Sequence, residues 1–210
     1  GGGIYTSGGL VQHSVLAGNY GMSSAGAYLY KSTLRNSLVI YNRGTNSAAV
    51  TAVLTSLVEN CTISDNTVYN TNGIGGLFVG SGSLARNTIV YHNIPRNISG
   101  GFGGSSGVQY FAHCCLSTNI TGNGNINANP LFSNRAGNDY RLLEGSLCVD
   151  AGTNQPWMFL PYPNNVDIYG QPRVQNLIVD IGAAEGVIPE PLWLAWLLPG
   201  ALLWRRARRG

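Results

Sequence analysis

The chain has 210 residues, enough for one good-sized domain, and it pairs 29 glycines with only 10% charged side chains. A solvated helical protein normally carries about 25% charge, so a predominantly helical fold is disfavoured at the outset. The formal charge of +3 is concentrated in Arg205, Arg206, Arg208 and Arg209, while residues 1–188 hold eight basic and eight acidic side chains; a neutral body with a basic tip lacks the distributed basic stripe that nucleic-acid binding requires.

The chain opens on Gly1, with no charged n-region and no apolar h-region behind it. A longer natural chain, with any export signal further upstream, is therefore expected. Four segments then align without a gap: residues 10–19, 33–42, 57–66 and 84–93. One column holds His13, Asn36, Asn60 and Asn87, and a second, six places later, holds Asn19, Asn42, Asn66 and Asn93. The first column advances by 23, 24 and 27 residues, a period that belongs to solenoids.

Around the first column the pattern has period two. Val11, Leu34, Val58 and Ala85 are apolar, Gln12, Arg35, Glu59 and Arg86 are long and polar, and Leu16, Val39, Ile63 and Val90 are again aliphatic. That alternation describes short strands with one buried face, turned at the Asn. Asn tolerates the left-handed backbone region that most residues avoid. With rungs about 4.8 Å apart, Asn36, Asn60 and Asn87 are expected to exchange amide hydrogen bonds, and the aliphatic column to form a continuous core. Gly- and Ala-rich stretches at 1–5, 25–30, 48–53 and 74–79 supply a further strand per coil.

This pattern resembles the right-handed parallel β-helix proteins of the pectate-lyase-like superfamily, over residues 1 to about 120. The predicted fold is all-β, a right-handed parallel β-helix over 1–122, followed by a loop-rich cap over 123–186 and a tail over 187–210. Many β-helix relatives cleave acidic polysaccharides with a basic Lys or Arg and Ca²⁺, or with paired carboxylates. Here Lys31 is the single lysine, and the solenoid acids Glu59 and Asp65 fall in one repeat. The strongest catalytic candidates are Tyr41, Asp65 and His92, which share a column, with His92 beside Asp65 as a possible general base; a polar surface ladder is the plainer reading of the same column. Arg35, Glu59 and Arg86 read as a surface ion-pair ladder of little energetic value. Tyr28, Tyr30, Tyr41 and Tyr91 are candidate stacking platforms for glycans.

Cys61, Cys114, Cys115 and Cys148 contain no CxxC pair, which argues against a zinc site. Cys61 reads as a small core residue, and one disulfide, for instance from Cys148 to Cys114 or Cys115, is compatible with an oxidising compartment, although the sequence does not pair the cysteines. After residue 122 the period is lost, and six blocks follow in order at 124–132, 139–142, 145–146, 148–152, 167–173 and 179–185. They resemble the choice-of-anchor Q domain of secreted bacterial β-helix proteins, which closes the solenoid before a surface anchor. A cap over the last rung also answers the need to cover its unpaired strand edges. Asp150, Asp167, Asp180 and Glu185 are weak candidates for Ca²⁺, the one cofactor considered, because acids near Arg141 and Arg173 more often pair with them or cap turns.

The tail runs Pro189-Glu190-Pro191, then an apolar stretch over 192–204, then Arg205, Arg206, Arg208 and Arg209. That order resembles a PEP-CTERM sorting signal. As a helix the apolar stretch measures about 20 Å against a roughly 30 Å hydrocarbon core, so it spans only with help from flanking residues and snorkelling arginines, with Trp193, Trp196 and Trp204 at the interface. The resemblance implies an exosortase-type partner, transient residence in the inner membrane of a Gram-negative bacterium, and delivery to the cell surface or beyond. The expected role is a non-catalytic structural or adhesive one in the envelope or polysaccharide matrix. The rival is a polysaccharide lyase or glycoside hydrolase with catalytic coils upstream.

Overall fold

A computed structural model describes residues 2–47, 49–100, 108–120 and 122–186; the tail, with Pro189, Glu190, Pro191 and the four terminal arginines, lies outside the described residues. The first coil is built from β1 (Ile4–Ser7), β2 (Leu10–Gln12), β3 (Val15–Ala17) and β4 (Tyr20–Gly21). The second repeats it with β5 (Ala27–Tyr30), β6 (Thr33–Arg35), β7 (Leu38–Ile40) and β8 (Arg43–Gly44), and the third with β9 (Val50–Val53), β10 (Leu57–Glu59), β11 (Thr62–Ser64) and β12 (Thr67–Val68). Next come β13 (Leu77–Val79), β14 (Leu84–Arg86) and β15 (Ile89–Tyr91), then β16 (Ile98–Gly100), β17 (Phe111–Ala112) and β18 (Cys115–Leu116). Like strands of successive coils pair in parallel, giving walls β1-β5-β9-β13-β16, β2-β6-β10-β14-β17 and β3-β7-β11-β15-β18, with a narrower wall β4-β8-β12. The chain is an all-β parallel solenoid.

Register places like over like. Val11, Leu34, Val58, Ala85 and Phe111 stack in one inward column, and Leu16, Val39, Ile63, Val90 and Leu116 in another. From the second coil onward these side chains have no solvent exposure, and each fully buried aliphatic contributes about 1.5–3 kcal/mol. Between the second and third walls the chain turns through a left-handed residue in every coil, at His13, Asn36, Asn60, Asn87 and His113, with φ from +47° to +51°. The next residue (Ser14, Ser37, Thr88) folds its hydroxyl back onto the carbonyl two residues earlier, and Cys61 and Cys114 do the same with their thiols. A similar ladder, not anticipated from the repeat, runs through Ser32, Ser56 and Ser83, each hydroxyl accepting the backbone N–H of the coil before it.

The amide ladder forms at the other corner. Asn19, Asn42, Asn66 and Asn93 are joined Nδ2 to Oδ1 at 2.9, 2.9 and 2.8 Å, and Asn93 continues to Asn97 at 2.9 Å. In the column expected to carry it, Asn36 meets His13 Nδ1 at 3.1 Å and Asn87 reaches Asn60 at 3.3 Å, but Asn36 and Asn60 are not joined; Asn36 and Asn87 also donate to Val166 O and Thr153 O, both at 2.8 Å. The reason is position: the first column lies under the C-terminal block, whose backbone needs partners, whereas the second column is turned into the coil.

Only the start of that block lies on the last rung, where Leu116 N donates to Ile126 O and Ile126 N to Cys114 O. The chain then runs back along the flank of the solenoid. A hairpin of β19 (Phe132–Asn134) and β20 (Asp139–Leu142) and the loops after it cover the outer face of the third wall. Tyr140 and Ala183 pack on Leu38 and Ile40, and Leu142, Cys148 and Ile181 on Ile89 and Cys115. Leu38, Ile40, Ile89 and Cys115 make much of that wall's outer face apolar, so it demands a second layer as parallel sheets do. Among the described residues no helix is long and apolar enough to cross a membrane.

Candidate functional site

Tyr41, Asp65 and His92 do fall in one column, because each is the left-handed residue just before the buried Asn ladder, with φ of 56°, 59° and 59°; Gly18 begins the series at 67°. The turn directs their side chains outward, towards the hairpin. Asp65 is saturated there: Oδ1 takes Arg135 Nη1 at 2.7 Å, and Oδ2 accepts Tyr140 Oη at 2.9 Å and Ser64 Oγ at 2.8 Å. Tyr41 Oη donates to Arg135 O at 3.2 Å. Burial, then Tyr41 and the anchored carboxylate, raise the Tyr140 hydroxyl far above its ordinary range.

His92 takes no part in that network. Its ring meets Tyr91 edge-on at 4.8 Å and tilts towards Phe132 at 6.3 Å. Partial burial and then the Arg135 cation push its pKa below the usual histidine value, and Asp65 offsets them only in part. A general base poised by a carboxylate needs that carboxylate within hydrogen-bond reach, and Asp65 spends its oxygens on Arg135, Tyr140 and Ser64. Arg135 and Tyr140 lie 70 and 75 residues away in sequence, in a segment without repeat, so no local signal could have tied them to this column.

The Arg35–Glu59–Arg86 column differs from its sequence reading. Glu59 has no exposed surface and is held by Arg35 Nε at 2.8 Å and Arg86 Nη2 at 2.7 Å, while Trp157 lies over the Arg35 guanidinium at 4.3 Å. It is a covered ion triad rather than a surface ladder, and loss of one member would strand a buried charge. The acids considered for Ca²⁺ serve the loops of the block. Asp167 Oδ1 accepts Tyr169 N and Gln171 N and its Oδ2 accepts Glu185 N, and Asp180 accepts Asp150 N and Gly186 N. Asp150 receives only a long contact from Asn176 Nδ2, at 3.5 Å. Among the described residues no three His, Cys, Asp or Glu side chains are grouped to hold a metal.

The wall β4-β8-β12 carries an open groove lined by Gly18, Asn19, Tyr20, Tyr41, Arg43 and Tyr69. Tyr20 and Tyr69 are 64% and 59% exposed, and no acid lines the groove. They stand on the first and third coils, about 10 Å apart along the axis, with Arg43 in register with Tyr20 between them. Tyr28, named as a platform from sequence, instead stacks on Tyr5 on the first wall, with centroids 5.6 Å apart. Against known proteins, the chain matches no family model, and no curated protein or solved structure is significantly similar to it.

Proposed function

We propose that this protein is an exported, non-catalytic β-solenoid that serves as a structural or adhesive element of the cell envelope or its polysaccharide matrix. The observation that carries the reading is the state of Asp65: the one acid in the candidate catalytic column is fixed by three donors and overlain by the hairpin. A surface built for contact rather than turnover needs exposed, rigidly held aromatic and cationic groups. The groove of Tyr20, Arg43 and Tyr69 offers both on stiff parallel strands, and its lack of acids favours an anionic glycan, with sugar faces against tyrosines and a carboxylate on Arg43.

Export and sorting are part of the same proposal. They rest on the Pro189-Glu190-Pro191, apolar, arginine order and on the resemblance of the 123–186 blocks to an anchor-linked domain. The test is a panel of acidic and neutral polysaccharides, scored for both binding and chain cleavage. Binding of an acidic polymer, weakened at least tenfold by Tyr20→Ala with Tyr69→Ala and by Arg43→Ala, with no cleavage, is the expected result. Cleavage abolished by Asp65→Asn or His92→Ala would overturn it in favour of a polysaccharide lyase or glycoside hydrolase.

A further inference from the structure

Four cysteines allow six pairings, and the walls of the solenoid separate them. Cys61 and Cys114 follow the left-handed corner of the third and fifth coils and point into the same internal core, with Thr88 of the intervening coil between them. Two rungs separate their backbones by about 10 Å, beyond the roughly 4.4–6.8 Å Cα separation that a disulfide accepts. Cys115 is the next residue along from Cys114, and alternation along the strand turns it to the other side of the wall, into the interface with the flank block. There it meets Cys148, which arrives from the block into the same cluster of Ile89, Leu142 and Ile181.

Both residues are buried free thiols packed in that one cluster. The geometry points to Cys115 and Cys148 as a disulfide pair that staples the flank block to the last coil, leaving Cys61 and Cys114 as permanent core thiols. The chemistry is ordinary exchange with a small-molecule or enzyme disulfide. One of the pair attacks as its thiolate and expels a thiolate, the sulfur of the other then attacks the mixed disulfide and expels a second thiolate, and the two cysteine protons pass to the two expelled thiolates. Burial lifts Cys61 and Cys114 to about 12, which keeps both protonated and out of the exchange. Because both sulfurs are enclosed, the bond forms as the block docks during folding rather than on the finished surface.

This inference rests on the packing alone and is independent of the proposed role. The full chain is refolded with a mixture of oxidised and reduced glutathione, alkylated under denaturing conditions and mapped by mass spectrometry. Two free thiols and one cross-linked peptide joining Cys115 to Cys148 are expected, with a Tm higher than that of the reduced protein by on the order of 5–10 °C. Cys148→Ser should leave three free thiols and no intramolecular cross-link. Four free thiols in the refolded wild type, or a cross-link through Cys61 or Cys114, would overturn the assignment whatever the behaviour of the variant.

Discussion

Asn66 illustrates how one side chain joins three coils. It is buried; its Nδ2 donates to Val39 O, Ser64 O and Asn93 Oδ1, and its Oδ1 accepts both Asn42 N and Asn42 Nδ2. Removing it strands several buried polar groups at once, each costing about 1–3 kcal/mol if left unpaired. Asn66→Ala should therefore destabilise by roughly 2–4 kcal/mol in denaturant unfolding. Asn66→Asp should cost more, because a carboxylate cannot donate to the carbonyls that Nδ2 now serves. A polar-to-Ala change at exposed Thr71, by contrast, should stay within about 0.5 kcal/mol. Both Asn columns were legible from the repeat, but which one carries the amide ladder was not. That choice depends on whether the left-handed residue is the Asn itself or the residue before it, a difference of backbone angle that spacing does not encode.

Among the elements, the loops of the flank block are organised by Arg173, a guanidinium without solvent exposure. Its Nη1 donates to Ala183 O at 2.8 Å and its Nη2 to Gly182 O at 2.6 Å, and Glu185 lies 3.2 Å away. The pair is poorly aligned, since neither Arg173 Nε nor Glu185 Oε1 finds a hydrogen bond. Burial therefore outweighs the cation, and with Asp180 and Asp167 also opposing ionisation the Glu185 carboxyl is raised from 4.5 to about 8. A folded-state pKa above the unfolded value means stability that is complete below about pH 4.5 and lost as pH rises through about 8. The Tm of the wild type should thus fall across that window relative to Glu185→Gln, in which the slope due to this group vanishes. A parallel pair of Tm–pH curves would refute the argument. The covering of the third wall did have a trace in the sequence, in Leu38 and Ile40 flanking inward Val39 and in Ile89 beside Val90. Apolar residues on both sides of a strand ask for a second layer, but nothing local says which later segment supplies it.

For the whole molecule, the described residues form stacked parallel coils with a block packed along one side, and the sorting proposal is tested on the full chain. In a host that bears an exosortase, the full chain should yield a product shortened near Pro189 and lacking the terminal arginines, as read by C-terminal peptide mapping. Substituting Pro189, Glu190 and Pro191 together with Ala should leave the tail attached, and an unprocessed wild type in that host would count against the sorting proposal. The solenoid itself was determined by sequence alone, because each coil of 23 to 27 residues repeats the same alternation and neighbouring rungs contact only like positions. Local pattern and tertiary contact are then the same information. The fates of Asp65, Glu59 and the cysteines were decided by tertiary structure alone. Arg135, Tyr140, Trp157 and Cys148 reach them from a non-repeating segment folded back along the flank, and contacts so distant along the chain leave no period to read.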